Sequence, residues 1–367
     1  MAKAQDSFQI AVDHIINGNC IDVLQSFPEN CVDLIFADPP YNLQLQNELL
    51  RPNQTVVDGV GDEWDQFSGP AEYDEFTRAW LGACRRVLKD EGTLWVIGSY
   101  HNIFRVGAAL MDLGYWILND VIWRKTNPMP NFRGTRFTNA TETLIWAQKH
   151  PGAKYTFNYH TMKNLNEDKQ MPSVWEIPIC RGAERITING KKAHSTQKPE
   201  ALLYRVILSS SSPGDLVLDP FFGSGTTGAV AKRLKRHYIG IEANPAYVEI
   251  ARARIAAIPE PVSGDEAFVT ESKRALPRVS FGRLLEAGYI RVGQKLFSRA
   301  REHVAIVKAD SHVICGGFTG SIHKAAAHLQ GVSAFNGWEF WYYEDAQGHL
   351  ASIDRLRDAY RAGQGLG

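Results

Sequence analysis

The chain has 367 residues, 44% of them hydrophobic, with 40 Lys and Arg against 40 Asp and Glu; this is enough to bury a sizeable core in two domains, and it gives no global field that would draw in a polyanion. Five scattered cysteines (Cys20, Cys31, Cys84, Cys180, Cys315), with no CxxC and no paired spacing to histidine, speak against a disulfide framework or a zinc site and for a reducing cytoplasm. No apolar run reaches transmembrane length and none follows the first charges, so neither a membrane anchor nor a leader is expected.

In chain order, Ala11 to Ile16 reads as a strand leading into Asn17-Gly18-Asn19-Cys20-Ile21-Asp22, with a helical turn or two over Val23 to Phe27. Val32 to Ala37 reads as a buried strand. The next residues, Asp38-Pro39-Pro40-Tyr41, then fall at the carboxyl end of a strand, where open α/β sheets place their ligand crevice. Two prolines stiffen this edge and leave no N–H between the Asp carboxylate and the Tyr ring. The Asp38 oxygens and the Pro39 carbonyl form a row of acceptors beside an aromatic plane, which suits the exocyclic amino group of a planar base stacked on Tyr41. From Asn42 to Gly69 the pattern breaks down, with Arg51 and Trp64 standing out. A polar segment of this length beside a candidate site is more often functional than idle.

Periodicity returns at Ala71 to Lys89, an amphipathic helix. A strand (Thr93 to Gly98), a helix near Asn102 to Asp112 and a strand from Tyr115 to Trp123 follow, an alternation that predicts a parallel sheet covered on both faces. Arg124 to Arg136 holds four basic residues, no acidic one and two prolines, which places Asn131, Arg133 and Arg136 on an extended loop. After a strand at Glu142 to Ala147 the pattern weakens, with strand-like pieces at Tyr155 to Tyr159 and Val174 to Ile177. The span of about 124–192 is read as an insertion on the first domain.

At His194-Ser195-Thr196-Gln197-Lys198-Pro199 a loop meets a helix. A strand (Leu216 to Leu218) leads into Asp219-Pro220-Phe221-Phe222-Gly223-Ser224-Gly225-Thr226-Thr227 and a helix to about Leu234; the strand Tyr238 to Ile241 ends at Glu242, and a helix runs from Ala246 to Ile255. Gly223 and Gly225 permit a tight turn and close approach to a ligand. With Gly228 the stretch formally matches the dinucleotide fingerprint. A carboxylate at Asp219 would repel a pyrophosphate, however, and no P-loop Gly-Lys-Ser/Thr follows. A ligand with a ribose and a cationic group but no phosphate is the better match, with Glu242, roughly 20 residues on, placed for both ribose hydroxyls.

Residues 259–271, with Pro259, Pro261, Ser263 and Gly264, read as a linker between a first domain (1–258) and a second (272–367). Lys273 to Lys308 then carries nine Lys and Arg against two acids, Glu286 and Glu302. Strands near His303 to Val307 and His312 to Cys315, a helix from Ser321 to Gln330, a run of aromatics from Phe335 to Tyr343 and a helix from Ile353 to Arg361 complete the chain.

Taken together, the Asp-Pro-Pro-Tyr stretch, the Phe-Phe-Gly-Ser-Gly stretch and Thr-Gln-Lys-Pro strongly resemble the motifs of the S-adenosylmethionine-dependent amino methyltransferases of DNA, over about Ile10 to Ile258. Their order, catalytic motif first, is similar to that of the β group of this family. Asp38, where N4-cytosine relatives more often have Ser, points to adenine N6. Ser321-Ile322-His323-Lys324 with Asn336-Gly337-Trp338 resembles the module appended to certain adenine methylases, and the whole chain is similar to the cell-cycle-regulated alphaproteobacterial type that methylates GANTC. The resemblance implies a Rossmann-like α/β methyltransferase sheet with a small α+β C-terminal module, S-adenosylmethionine as cofactor, no metal, double-stranded DNA as partner and a homodimer. It implies catalysis by Asp38, Pro39, Pro40 and Tyr41, and cofactor contacts by Cys20, Ile21, Lys198, Asp219, Phe221, Gly223, Gly225 and Glu242. Candidates for DNA contact are Arg51, Trp64, Asn131, Arg133, Arg136, Ser321, Asn336, Trp338 and Arg357. N4-cytosine methylation, RNA methylation and a non-catalytic DNA-binding regulator on a methylase scaffold stand as alternatives.

Overall fold

Val32–Ala37 is buried along nearly its whole length and alternates its side chains between two cores. Leu34 and Phe36 join one apolar cluster, Ile35 and Ala37 the other, as the two-residue period of a strand requires. The computed structural model describes residues 10–42, 67–131, 134–188, 191–193, 196–261, 268 and 277–364. It divides into two units, Met1–Thr270 and Glu271–Gly367.

The first unit runs β1 (His14–Asn17), α1 (Cys20–Gln25), β2 (Val32–Ala37), α2 (Pro70–Val87), β3 (Leu88–Gly98), α3 (Ile103–Asp112), β4 (Trp116–Lys125), β5 (Thr141–Gln148), α4 (Tyr159–Leu165), β6 (Val174–Ile177), β7 (Thr187–Ile188), β8 (Lys191–Lys192), α5 (Glu200–Ser210), β9 (Leu216–Asp219), α6 (Thr226–Arg233), β10 (His237–Glu242) and α7 (Pro245–Ala256). Eight strands form one sheet in the order β1-β10-β9-β2-β3-β5-β4-β6. The helices cover both faces. α2 starts at Pro70 in the first helical position and buries Tyr73, Thr77, Trp80, Leu81, Cys84 and Val87, an i, i+4, i+7 stripe.

Three expectations need correction. The sheet is mixed: β1, β10, β9, β2 and β3 are parallel, but β5 is antiparallel to both β3 and β4. Among the described residues no helix separates β4 from β5, and the two strands pair antiparallel. The span 124–192 is therefore no mere insertion, since it holds β5, an interior strand, and β6 at the sheet edge. Tyr155 to Tyr159 is not a strand: Tyr155 and Phe157 lie in irregular chain against Trp146, at ring distances of 5.3 and 5.5 Å, and Tyr159 opens α4.

The second unit runs α8 (Phe281–Glu286), β11 (Lys295–Ser298), β12 (Val304–Val307), β13 (Val313–Cys315), β14 (Phe318–Gly320), α9 (Ile322–Gln330), α10 (Gly337–Phe340), β15 (Trp341–Glu344), β16 (Leu350–Ser352) and α11 (Asp354–Gly363). Its six strands make an antiparallel sheet, β14-β13-β12-β11-β15-β16. It has a core of its own around Leu284, Leu296, Trp341 and Ile353, all fully buried. Trp341 donates its indole N–H to the Ile322 carbonyl at 3.0 Å, which lets a ring with a polar edge occupy an apolar centre.

Candidate active site

Seven parallel strands end on one edge of the first sheet, and β5, running the other way, begins there. That edge collects Asn17, Glu242, Asp219, Asp38 and Ser99 from the strand ends and Glu142 from the start of β5. Open sheets bind their ligands at this edge, where strand order switches direction.

The glycine turn is built for close packing. Gly225 caps α6 with φ +77°, and a side chain there would meet Ala251 Cβ at 2.8 Å. Glu242 spans the turn: Oε2 accepts from the Gly223 N–H at 2.7 Å and Oε1 from the Asn244 N–H at 2.8 Å. Burial pushes its carboxyl up, against those backbone bonds. An ionised carboxylate has about four acceptor sites, so acceptor capacity remains for a ligand. Asp219 is more enclosed, with Oδ1 accepting from the Phe221 N–H at 2.9 Å and Oδ2 from the Thr227 hydroxyl at 2.5 Å. Burial pushes its carboxyl up to about 7, opposed by those two bonds. A small pocket of about 30 Å³ adjoins it, lined in part by Asp38, Lys198, Phe221, Gly223 and Ser224. Phe221 is held from behind by Trp80, edge to face at 5.2 Å. An oriented carboxylate at the sheet edge, a turn opened by Gly223 and Gly225 and an anionic wall fit a cationic nucleoside better than a nucleotide.

Asp38-Pro39-Pro40-Tyr41 is clamped from α2. The Tyr73 hydroxyl, fully buried, donates to the Pro40 carbonyl at 2.8 Å and accepts from the Asn102 side-chain amide at 3.1 Å. Asn102 Oδ1 accepts the Ser99 N–H at 3.0 Å, which ties the end of β3 to the same clamp. Around the motif lies a buried charge network. Lys198 Nζ is 2.8 Å from Asp38 Oδ2 and 3.8 Å from Glu142 Oε2, and Lys125 Nζ is 2.8 Å from Glu142 Oε1. The Tyr41 hydroxyl donates to Glu142 Oε2 at 3.0 Å, and the Lys198 ammonium stands 5.1 Å from the Tyr41 ring centre. Burial pushes Asp38 up and outweighs Lys198. Burial acts on Glu142 in the same sense, but Lys198 and Lys125 together hold it below the usual carboxylate range. Burial also drives Tyr41 well up, helped by both carboxylates, so its hydroxyl stays protonated.

Lys198 lines the pocket beside Asp219 and is also the ion-pair partner of Asp38, a contact the sequence did not suggest. Cys20 is buried in the core at the start of α1, its thiol pushed up to about 12 by burial, and Ile21 packs at the margin of that core. Neither lines the cavity beside Asp219. Arg51, Trp64 and Arg133 lie outside the described residues. Asn131 and Arg136 are on the β4–β5 connection, which leaves and rejoins the sheet at the Lys125–Glu142 pair. Arg136 is exposed and donates to the Tyr100 hydroxyl at 3.4 Å; Asn131 Oδ1 accepts from the Thr135 N–H at 3.3 Å.

In the second unit the four candidates have local structural partners. Ser321 caps α9 and Asn336 caps α10, accepting from Lys324 and Trp338 N–H groups. Trp338 is half-buried against Phe281, with the Arg357 guanidinium 4.6 Å from its ring centre and Arg357 held by Asp354 at 3.0 Å. The sequence reading missed Glu142, Lys125, Tyr73 and Asn102. A lone acid opening the apolar run of β5 was the legible signal for Glu142.

Residues 32–253 match the family described as DNA methylase, and residues 262–365 match that described as Restriction Enzyme Adenine Methylase Associated. The chain is 50% identical over 347 residues to the Type II methyltransferase M.HinfI of Haemophilus influenzae, covering 94% of this chain and 96% of that protein. It is 44% identical over 242 residues to the Type II methyltransferase M2.MboI of Moraxella bovis, covering 66% of this chain and 86% of that one. Among solved structures, the cytosine-N4-specific PvuII DNA methyltransferase shares the fold, with a TM-score of 0.52 and 24% identity over 71% of this chain and 91% of that one. The chain therefore belongs to the DNA methylase family, enzymes of N6-adenine and N4-cytosine methylation that use S-adenosylmethionine as cofactor.

Proposed function

We propose that the protein transfers a methyl group from S-adenosylmethionine to the N6 amino group of adenine in double-stranded DNA, at GANTC. The observation that carries this reading is the position of Asp38 and Tyr41: a carboxylate and an aromatic ring on a rigid edge, next to the cavity that Asp219 closes. Asp at the first motif position favours adenine, as does the match of the second unit to an adenine-methylase-associated family. GANTC and a cell-cycle-regulated role rest on the resemblance of the quoted motifs.

Glu242 and the Gly223–Gly225 turn hold the cofactor's ribose side, and Asp219 faces its ammonium end. Bound there, S-adenosylmethionine supplies an electrophilic methyl group on a sulfonium. Asp38 accepts a hydrogen bond from one amino hydrogen and the Pro39 carbonyl from the other, which concentrates the nitrogen lone pair; Asp38 then takes the proton released. Tyr41 stacks on the base, which must leave the duplex because its amino group is out of reach inside it. Residues of the β4–β5 connection and the second unit contact the DNA.

The test supplies labelled cofactor to duplexes carrying adenine or cytosine targets, with RNA as competitor. Label on adenine N6 in DNA, lost in Asp38→Ala while calorimetric cofactor binding persists, is expected. Label on cytosine, or a near-wild-type rate in Asp38→Ala, would overturn the reading. Light scattering on the same samples reads the proposed homodimer.

A further inference from the structure

In the structure Asp38 already has a partner. Its Oδ2 faces the Lys198 ammonium at 2.8 Å, and the two side chains are 18% and 9% exposed. As Asp38 accepts the target amino group and then its proton, as proposed above, its hold on Lys198 weakens, and the ammonium must not be left stranded in a poorly hydrated place. A second acceptor is at hand. Glu142 Oε2 is 3.8 Å from the same Nζ, and the Glu142 side chain is only 11% exposed. Lys125 balances Glu142 from the other side at 2.8 Å, so two carboxylates and two ammonium groups cancel. Glu142 also takes the Tyr41 hydroxyl.

We propose that Glu142 is a positioning residue for methyl transfer: it takes over the Lys198 ammonium when the target amino group claims Asp38, and it fixes the Tyr41 ring by its hydroxyl. The ammonium moves between two anions, and when Asp38 takes the released proton Glu142 remains as its counter-charge. The lysines keep Glu142 ionised, whereas burial favours the proton on Asp38; this is the right asymmetry for one to hold Lys198 while the other receives a proton. Among the described residues, the charged and titratable groups facing the pair are Lys125 from β4, Asp38 and Tyr41 after β2, and Asp219 at the end of β9.

The inference rests on the methyl-transfer reading, so wild-type transfer to adenine is measured first; its absence would sink that reading itself. Glu142→Gln keeps the shape and an acceptor for Tyr41 but removes the charge. Single-turnover methylation should fall on the order of 10–100-fold with cofactor affinity unchanged, and a rise in pH should not restore it, because Asp38 still favours the Lys198 ammonium. The double variant Glu142→Gln/Lys198→Gln, which removes the competitor as well as its alternative partner, should be faster than Glu142→Gln alone. A wild-type rate in Glu142→Gln, or a double variant slower than both singles, would overturn the proposal. Should Glu142→Gln fail to bind cofactor, Lys125→Met decides: loss of the cation that keeps Glu142 ionised should move the acid limb of the rate profile to higher pH, and an unmoved limb would refute the role.

Discussion

Asp219 shows how a single group can tie stability to pH. Burial raises its carboxyl from 3.8 to about 7, despite the Thr227 and Phe221 hydrogen bonds. A folded-state value above the unfolded one means that this group's stabilising contribution is full below about pH 4 and is lost as pH rises through about 7. Replacing it by the neutral isostere in Asp219→Asn should remove that dependence. In urea unfolding, the stability of wild type relative to Asp219→Asn should drop between pH 5 and pH 8.5. The drop should be at most about 4 kcal/mol, since each tenfold change in proton affinity on folding is worth ~1.4 kcal/mol. An equal difference at both pH values would exclude a proton on Asp219. Glu242→Ala should weaken S-adenosylmethionine binding by about 1–3 kcal/mol, read by calorimetry, because it removes an oriented anion and frees the Gly223 N–H that the anion holds. Both acids were legible in the sequence from their place at strand ends. The pairing of Lys198 with Asp38 was not, because it joins a loop before α5 to a loop after β2, and spacing along the chain carries no trace of that contact.

At the scale of elements, the turn between β9 and α6 depends on a glycine in the neighbouring strand. Gly240, inside β10, leaves room for the Phe222 ring, which stacks on Tyr238 at 6.2 Å. A Cβ at position 240 would stand 2.3 Å from that ring. Gly240→Ala should therefore destabilise the protein by about 1–3 kcal/mol in urea unfolding. Cofactor affinity should fall with it, since Phe222 adjoins Gly223; unchanged stability would show that the ring has another place to go. The long buried strands were legible because a run such as β2, apolar at five of its six positions, leaves few other readings. The direction of β5 was hidden, since an apolar run has the same composition whichever way it points. Several strands of the second unit were hidden by length: β14 and β16 have three residues each, too few for alternation to stand out, and β15 lay inside an aromatic run.

For the whole molecule, the net charge of zero conceals a division of labour. Lys273 to Lys308 has nine basic residues and two acids. Some of these cations are spent inside the second unit, as in Arg283 with Glu286, Arg301 with Glu344 and Lys308 with Asp310. Arg278, Arg291, Lys295 and Arg299 are exposed and have no acidic partner among the described residues. Exposed cations on a unit with its own core can neutralise phosphates and release counterions, at a slope of about 0.9 in log K per log salt for each contact. Four such contacts would account for a slope of about 3–4. Every residue assigned above to the cofactor precedes the second unit. A chain ending after Pro261 should therefore bind S-adenosylmethionine as the full chain does, while its duplex affinity falls and its salt slope flattens by about that amount. Calorimetry for the cofactor and duplex titrations across a salt series, on both chains, read the two effects separately. An unchanged slope would mean that these cations face solvent in the complex. Loss of cofactor binding on truncation would mean instead that the second unit stabilises the first.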